Sequence, residues 1–173
     1  MKKVLKIPGR HAKRTVLIVG EGFSEVAFLE HLKSLYAERG SGISIKIGNA
    51  RGKGPEHVLE SAIRQSNNGA YDAIAALLDT DIPWTNALRA KASRKKILLL
   101  PSTPCLEGLL LEILGEPSVG TSDNLKRSFH PKLSGNSTDK QSYKKLFTKP
   151  LLDINRERVT TLDKLLCLMQ DLK

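Results

Sequence analysis

Acidic residues stand directly after apolar stretches at several points along this 173-residue chain. Glu21 follows one apolar run, and Asp79 and Asp81 follow another. Glu107 comes a short turn after a third run, and Glu25 lies one helical turn beyond Glu21. Carboxylates that meet repel one another unless a cation neutralises them, and their hard oxygens suit Mg²⁺ or Mn²⁺. The pattern therefore predicts a site for one or two such ions.

The segments that must position these acids alternate between strand and helix patterns. Short apolar runs typical of buried parallel strands occupy residues 15–19, 43–47, 73–78 and 97–100. Amphipathic helices are predicted at residues 24–39, from Pro55 to the Asn67-Asn-Gly69 stop, at 84–93 and at 106–114. This alternation favours right-handed βαβ units and a mainly parallel four-stranded sheet flanked by helices. The carboxyl ends of such strands share one edge, where ligands bind, so the acids are expected there.

The remainder of the chain divides into an arm and an extension. Residues 1–14 form a basic N-terminal arm, and residues 15–114 hold the sheet and the acids. Residues 115–140 are rich in Gly, Ser, Pro, Asn and Lys, which predicts a long loop. Helices are predicted at 141–148 and 160–172, so residues 115–173 are interpreted as a loop and a C-terminal helical extension packing on the same domain.

The charge balance favours nucleic acid as a partner. Lys and Arg number 28 against 18 Asp and Glu, a formal net charge of +10. Basic patches release counterions when they meet phosphates. The loop 48–54 places Arg51 and Lys53 on the same edge as the acids, where they could guide a phosphate backbone. An acid-free basic group follows, comprising Arg89, Lys91, Arg94, Lys95 and Lys96.

Other site classes find little support in the sequence. The two cysteines, Cys105 and Cys167, and the four scattered histidines have no metal-ligand spacing. No apolar run approaches the roughly 20 residues that span a bilayer, and the basic N-terminus lacks a signal-peptide core. We therefore expect a cytoplasmic protein without a membrane partner.

Competing motifs fail in specific ways. Gly20-x-Gly22-x-x-Glu25 departs from a dinucleotide fingerprint because Glu replaces the third glycine. No GxxxxGK[ST] phosphate loop is present. The Asp79-Thr-Asp81 pair follows the third strand, whereas dehalogenase-type phosphatases carry theirs on the first, and the chain is short for a glycosyltransferase.

Three motifs together resemble a known family. Val-Gly-Glu21-Gly-Phe-Ser-Glu25 looks like the EGxxE-type first motif of Toprim domains, and Leu-Leu-Asp79-Thr-Asp81 matches their DxD motif. The third, Pro101-Ser-Thr-Pro-Cys105-Leu-Glu107, is similar to the SxPCxE signature of RloB-like Toprim proteins, relatives of OLD-type nucleases. The resemblance covers about residues 15–114. Gly108 and Leu109 stand where that family usually has an aromatic residue.

The resemblance implies a Toprim-like (Rossmann-like) fold with one or two Mg²⁺ ions and phosphodiester chemistry. On that view Glu21 acts as general base or acid, Asp79 and Asp81 ligate the metal, and Glu107 and Glu25 complete the shell. A lysine that neutralises the negative charge of the transition state would be Lys144 or Lys145, and Lys145 is the predicted one. The implied activity is a nuclease, more an endonuclease than an exonuclease, in bacterial anti-phage defence.

A second hypothesis remains open. The short chain leaves little room for segments that would clamp a substrate. The protein would then be a non-catalytic subunit that binds metal and nucleic acid and regulates a defence complex, with a partner protein encoded nearby.

Overall fold

Four strands form one sheet in the computed structural model, which describes residues 12–170. Most of the basic arm, residues 1–11, lies outside the described residues, as do residues 171–173. The strands are β1 (Arg14–Gly20), β2 (Ile43–Asn49), β3 (Ala73–Asp79) and β4 (Ile97–Ser102). They lie in the order β2-β1-β3-β4, and every pair is parallel. The predicted parallel sheet is confirmed.

Burial explains the strand assignments. The central strands β1 and β3 are apolar on both faces, and Val16 to Val19 are fully buried. The edge strand β2 instead alternates, with Ile45 buried and Ser44 and Lys46 exposed. A strand covered on both faces must be apolar throughout, whereas an edge strand exposes some of its side chains to solvent.

Helices cover both faces of the sheet. They are α1 (Phe23–Tyr36), α2 (Pro55–Ser66), α3 (Asn86–Arg94), α4 (Leu106–Ile113), α5 (Ser122–Phe129), α6 (Lys149–Asn155) and α7 (Thr160–Gln170). Helices α2 and α3 pack on one face, over Leu17 and Val19. Helices α1, α4, α5 and α7 contribute to the core on the other face, together with Val16 and Ile18. Within residues 12–170, no helix is long and apolar enough to cross a bilayer.

The predicted loop at 115–140 is wrong over residues 122–132. Residues 122–129 form α5, and His130–Lys132 continue as a 3₁₀ turn. The Thr121 hydroxyl accepts a hydrogen bond from the Asn124 amide at 3.3 Å and so caps the helix. Leu125 and Phe129, four residues apart, are buried in the core. Two apolar residues in a polar stretch give a hydrophobic pattern too weak to predict a helix. The helix is stabilised by tertiary packing instead.

The helix predicted at 141–148 is also wrong. Only a 3₁₀ turn, Lys140–Tyr143, forms there, and the α-helix begins later, as α6. Thr148 is the N-cap of α6 and Pro150 lies in its first turn, where a missing amide hydrogen is tolerated. Tyr143 and Phe147 stack around Phe28, with ring centroids 5.7 and 5.4 Å from it, so aromatic packing fixes this segment.

Candidate functional site

The carboxyl ends of the adjacent strands β1 and β3 mark the predicted crevice at one edge of the sheet. The chain leaves β1 through α1 toward β2 on one side and leaves β3 through α3 toward β4 on the other, on opposite faces of the sheet, so the connections diverge between these central strands. In open α/β sheets, ligands bind at such a switch point. Glu21 directly follows β1, and Asp79 is the last residue of β3. The fold therefore brings both predicted residues to the crevice.

Glu21 and Asp79 are in direct contact. The Asp79 backbone amide donates to Glu21 Oε2 at 3.0 Å. The Asp79 carbonyl accepts from Trp84 Nε1 at 2.9 Å, which fixes the chain after β3. The Asp79 side chain is less satisfied, because its Oδ1 is buried and makes no hydrogen bond with the described residues. A buried oxygen without a partner is costly, and a cation is one way to satisfy it.

Glu25 is held by the start of α1. Its Oε2 accepts from the Gly22 amide at 2.9 Å, as the glutamate of a capping box does, and the residue is only 8% exposed. The two glycines of this turn make room for it. A β-carbon on Gly20 would lie 2.8 Å from Glu25 Cβ, and one on Gly22 would lie 3.2 Å from Glu25 Oε2. The glycine spacing therefore packs a carboxylate against the turn.

The turn after β4 positions Asp81 and Glu107. The Thr80 and Asp81 amides both donate to the Pro104 carbonyl, at 3.0 and 2.9 Å, so the segments after β3 and β4 are tied together. Asp81 is exposed, and its Oδ2 accepts from Ser122 Oγ at 3.3 Å. Glu107 is 5% exposed, at the start of α4.

His130 pairs with Glu107. His130 Nε2 lies 2.8 Å from Glu107 Oε1, at the end of α5. Burial raises the pKa of the Tyr143 hydroxyl, and the nearby charges of Glu107 and Glu25 add to the rise. Ser122, His130 and Tyr143 were not predicted as site residues. They come from the segment taken for a loop and an unrelated helix, and no spacing in the sequence indicates that they reach Glu107.

The five acids form one electrostatic unit, here called the carboxylate cluster: Glu21, Glu25, Asp79, Asp81 and Glu107. Burial, and after it the charges of the other four members, together raise the pKa of Asp79 to about 8. Burial also raises the pKa of Glu25, where Glu21 and Glu107 add to the effect and hydrogen bonds oppose it. Asp79 and Glu25 therefore lie close enough to the other carboxylates for the ionised forms of these two residues to be disfavoured.

The chemistry of the carboxylate cluster suits a hard cation, but its side chains are engaged elsewhere. Within residues 12–170, no group of three or more His, Cys, Asp and Glu is arranged to hold a metal ion as it stands. Glu21, Glu25 and Glu107 each accept a hydrogen bond within the protein or pair with His130. The buried, unpartnered Asp79 Oδ1 is the atom that fits a cation best.

Arg51 and Lys53 lie on the loop between β2 and α2. Both are exposed and adopt positive φ angles, 63° and 74°. Between them, the Gly52 amide donates to the Glu21 carbonyl at 2.7 Å, which joins this loop to the crevice. The structure therefore places both predicted nucleic-acid-binding residues at the same edge as the carboxylate cluster.

The second basic group is spread along α3. The Arg89 guanidinium lies 5.1 Å from the centre of the Trp84 ring, and Trp84 itself contacts Asp79. Arg94 and Lys95 stand at the end of α3, just before β4 begins, so they lie at the opposite edge of the sheet. Lys145 is exposed and follows the 3₁₀ turn at Tyr143.

Compared with known proteins, the chain matches no family model, no curated protein and no solved structure. Its likeness to Toprim domains consists of the three motifs given above. The structure brings the acids of all three motifs to one crevice.

Proposed function

We propose that this protein is a Mg²⁺- or Mn²⁺-dependent nuclease that cleaves nucleic-acid phosphodiester bonds at the carboxylate cluster, on a Toprim-like domain. One observation carries the proposal. Burial, together with four carboxylates from three separate turns, raises the pKa of a fifth, Asp79, at the switch point of a parallel sheet. A concentration of like charge in a crevice is the mark of a functional site more often than of a structural one.

Asp79 and Asp81 would hold the cation, with Glu21, Glu25 and Glu107 completing its shell. The unpartnered Asp79 Oδ1 supports this assignment, and so does the exposed position of Asp81. A bound Mg²⁺ supplies charge stabilisation to a phosphoryl group and lowers the pKa of water.

Glu21 is the residue we assign to proton transfer. The Asp79 amide holds one of its oxygens at 3.0 Å, which fixes the orientation of the carboxylate. A carboxylate held through one oxygen keeps acceptor capacity on the other. Glu21 can therefore take a proton from the attacking water or deliver one to the leaving oxygen.

Basic residues at the crevice would hold the substrate backbone. Arg51 and Lys53 adjoin Glu21 through the Gly52 hydrogen bond, and Arg89 stands beside Trp84. Arg94 and Lys95, at the opposite edge of the sheet, would add attraction for phosphates along α3, and Lys145 would neutralise charge in the transition state. The three motifs further suggest a cytoplasmic endonuclease in bacterial anti-phage defence, acting with a partner protein.

The test is a cleavage assay on the purified protein. Plasmid, single-stranded DNA and transfer RNA are incubated with Mg²⁺, with Mn²⁺ or with EDTA. We expect metal-dependent cleavage of at least one substrate, and its loss in Asp79→Asn. Glu157→Gln is the matched control, because Glu157 is exposed and follows α6, outside the carboxylate cluster. Cleavage that survives EDTA, or that Asp79→Asn retains, would contradict the proposal.

A second function is favoured by the hydrogen bonds of the cluster. Glu21, Glu25 and Glu107 each interact with another group of the protein. We expect such interactions in a non-catalytic subunit that binds metal only within a complex. Such a protein would bind nucleic acid without cutting it. Failure of cleavage with every substrate and metal, combined with retained binding, would select this regulatory role.

A further inference from the structure

Apolar side chains stand open to solvent on both sides of the crevice. The described residues include five large exposed apolar side chains: Phe23, Ile82, Leu98, Val119 and Ile154. Phe23 is 61% exposed and is the first residue of α1, two positions after Glu21. Ile82 is 53% exposed and directly follows Asp81. The chain thus exposes an aromatic ring beside one acid and a branched apolar side chain beside another.

The cationic loop lies beside Ile82. The tip of Ile82, its Cδ1, lies 3.8 Å from where a β-carbon on Gly54 would stand. Gly54 ends the short run that carries Arg51 and Lys53. Among residues 12–170 neither cation has a carboxylate within ion-pair distance. Exposed apolar surface and unpaired positive charge therefore adjoin each other next to the carboxylate cluster.

This combination selects among the possible occupants. An apolar protein partner would match Phe23 and Ile82 but would offer no negative charge to Arg51 and Lys53. A nucleic-acid duplex would match the cations, but its bases are already stacked on each other and cannot cover an aromatic ring. A single strand offers both phosphates and free base faces, and an alternation of aromatic side chains with cations is how such strands are bound.

We propose that the crevice binds single-stranded or locally unpaired nucleic acid, with one base stacked on Phe23, the neighbouring base against Ile82, and the phosphates held by Arg51 and Lys53. The inference rests on the proposed function, since it names the substrate class of that site. An extended strand bound in this way brings a phosphodiester to the carboxylate cluster.

Binding is measured without cleavage, by fluorescence anisotropy in EDTA. The probes are a labelled DNA strand and an RNA strand of about 12 nucleotides, the matching blunt duplexes, and a strand of the same length made of abasic nucleotides. We expect the full-length protein to bind a single strand at least about 10-fold more tightly than its duplex. Phe23→Ala should weaken single-strand binding by about 5- to 150-fold, the usual effect of losing one stacked base. It should leave duplex and abasic-strand binding unchanged.

Two further variants separate stacking from other effects. Phe23→Tyr keeps an aromatic face and should restore single-strand affinity. Ile154→Ala removes an apolar side chain that is 78% exposed on α6, and it should change nothing. Because Phe23 is exposed, its replacement should leave the melting temperature unaltered, which is checked in the same samples.

Several results would overturn the inference. These are equal affinity for strand and duplex, an equal effect of Phe23→Ala on abasic and normal strands, or a dimer that Phe23→Ala dissociates without any change in strand affinity. The last result would assign the surface to contact between copies. Failure of the proposed nuclease is a separate outcome, because a single-strand preference in EDTA without metal-dependent cleavage would leave the substrate class standing.

Discussion

The pKa of Asp79 predicts how stability depends on pH and metal. The pKa rises from an ordinary 3.8 to about 8 in the folded protein, first through burial and then through the neighbouring carboxylates. The folded protein thus retains a proton that the unfolded chain loses above about pH 4. Stability from a group with a raised pKa is present at low pH and is lost as pH rises through the folded value.

The size of the effect follows from linkage. Each pH unit between the two pKa values lowers the free energy of unfolding by ~1.4 kcal/mol per retained proton. Between about pH 5 and pH 7, Asp79 alone therefore removes at most ~3 kcal/mol. For a domain of this size, that corresponds to a fall of roughly 6–12 °C in melting temperature. Asp79→Asn carries no such proton, so its melting temperature should fall less over the same range.

The assay is a set of thermal melts from about pH 5 to pH 8, in EDTA and in Mg²⁺. Wild type in EDTA should lose stability toward pH 8, and Mg²⁺ should restore it there, by ~2.7 kcal/mol at a concentration 100 times the Kd. At about pH 5 the ion should have little effect, because the carboxylate it needs is protonated. Asp79→Asn should respond weakly to both variables, and Glu157→Gln should match wild type. Identical pH slopes or identical Mg²⁺ responses in wild type and Asp79→Asn would refute the reasoning.

Three shorter predictions concern catalysis, packing and binding. Glu21→Gln should keep nucleic-acid affinity but lose about 10²–10⁴-fold in cleavage rate, since an amide cannot transfer the proton; undiminished cleavage would exclude Glu21 as the acid–base group. Gly108→Ala should lower the free energy of unfolding by ~1–3 kcal/mol, because the new β-carbon would collide with the Thr103 carbonyl oxygen; an unchanged melting temperature would show that α4 can shift. Reversing the charge of Arg51 and Lys53 should weaken binding and flatten its salt dependence while sparing cleavage at saturating substrate; an unaltered salt slope would place the phosphates elsewhere.

The sheet and three of its turns could be predicted because their signals are local. Residues 15–19 were expected as a strand, and β1 runs Arg14–Gly20. A short apolar run between polar turns, with helices predicted on either side, has few possible structures other than a buried strand. The convergence of Glu21 and Asp79 then follows from topology alone, since parallel strands end at a common edge.

The contribution of α5 could not be predicted in the same way. His130 reaches Glu107 because Leu125 and Phe129 pack α5 into the core, and this depends on residues far away in the chain. A polar stretch with two apolar residues does not reveal that packing. His130 itself is exposed, and a single histidine without spacing partners gives no sign in the sequence that it pairs with a carboxylate.

Hydrogen bonding within the carboxylate cluster links the two functional hypotheses. Without a cation, Glu21 is held by the Asp79 amide, Glu25 by the Gly22 amide, and Glu107 by His130. Within the carboxylate cluster, only Asp79 has a buried oxygen without a donor, and it is the member whose pKa is raised to about 8. A cation at Asp79 would replace a proton there, and each of the other carboxylates could offer the ion its second oxygen while the first keeps its donor. An enzyme must exchange the proton on Asp79 for a cation at its working metal concentration. A regulatory subunit could instead bind the cation only when a partner protein is present. The ease of the exchange at Asp79 therefore decides between the two functions.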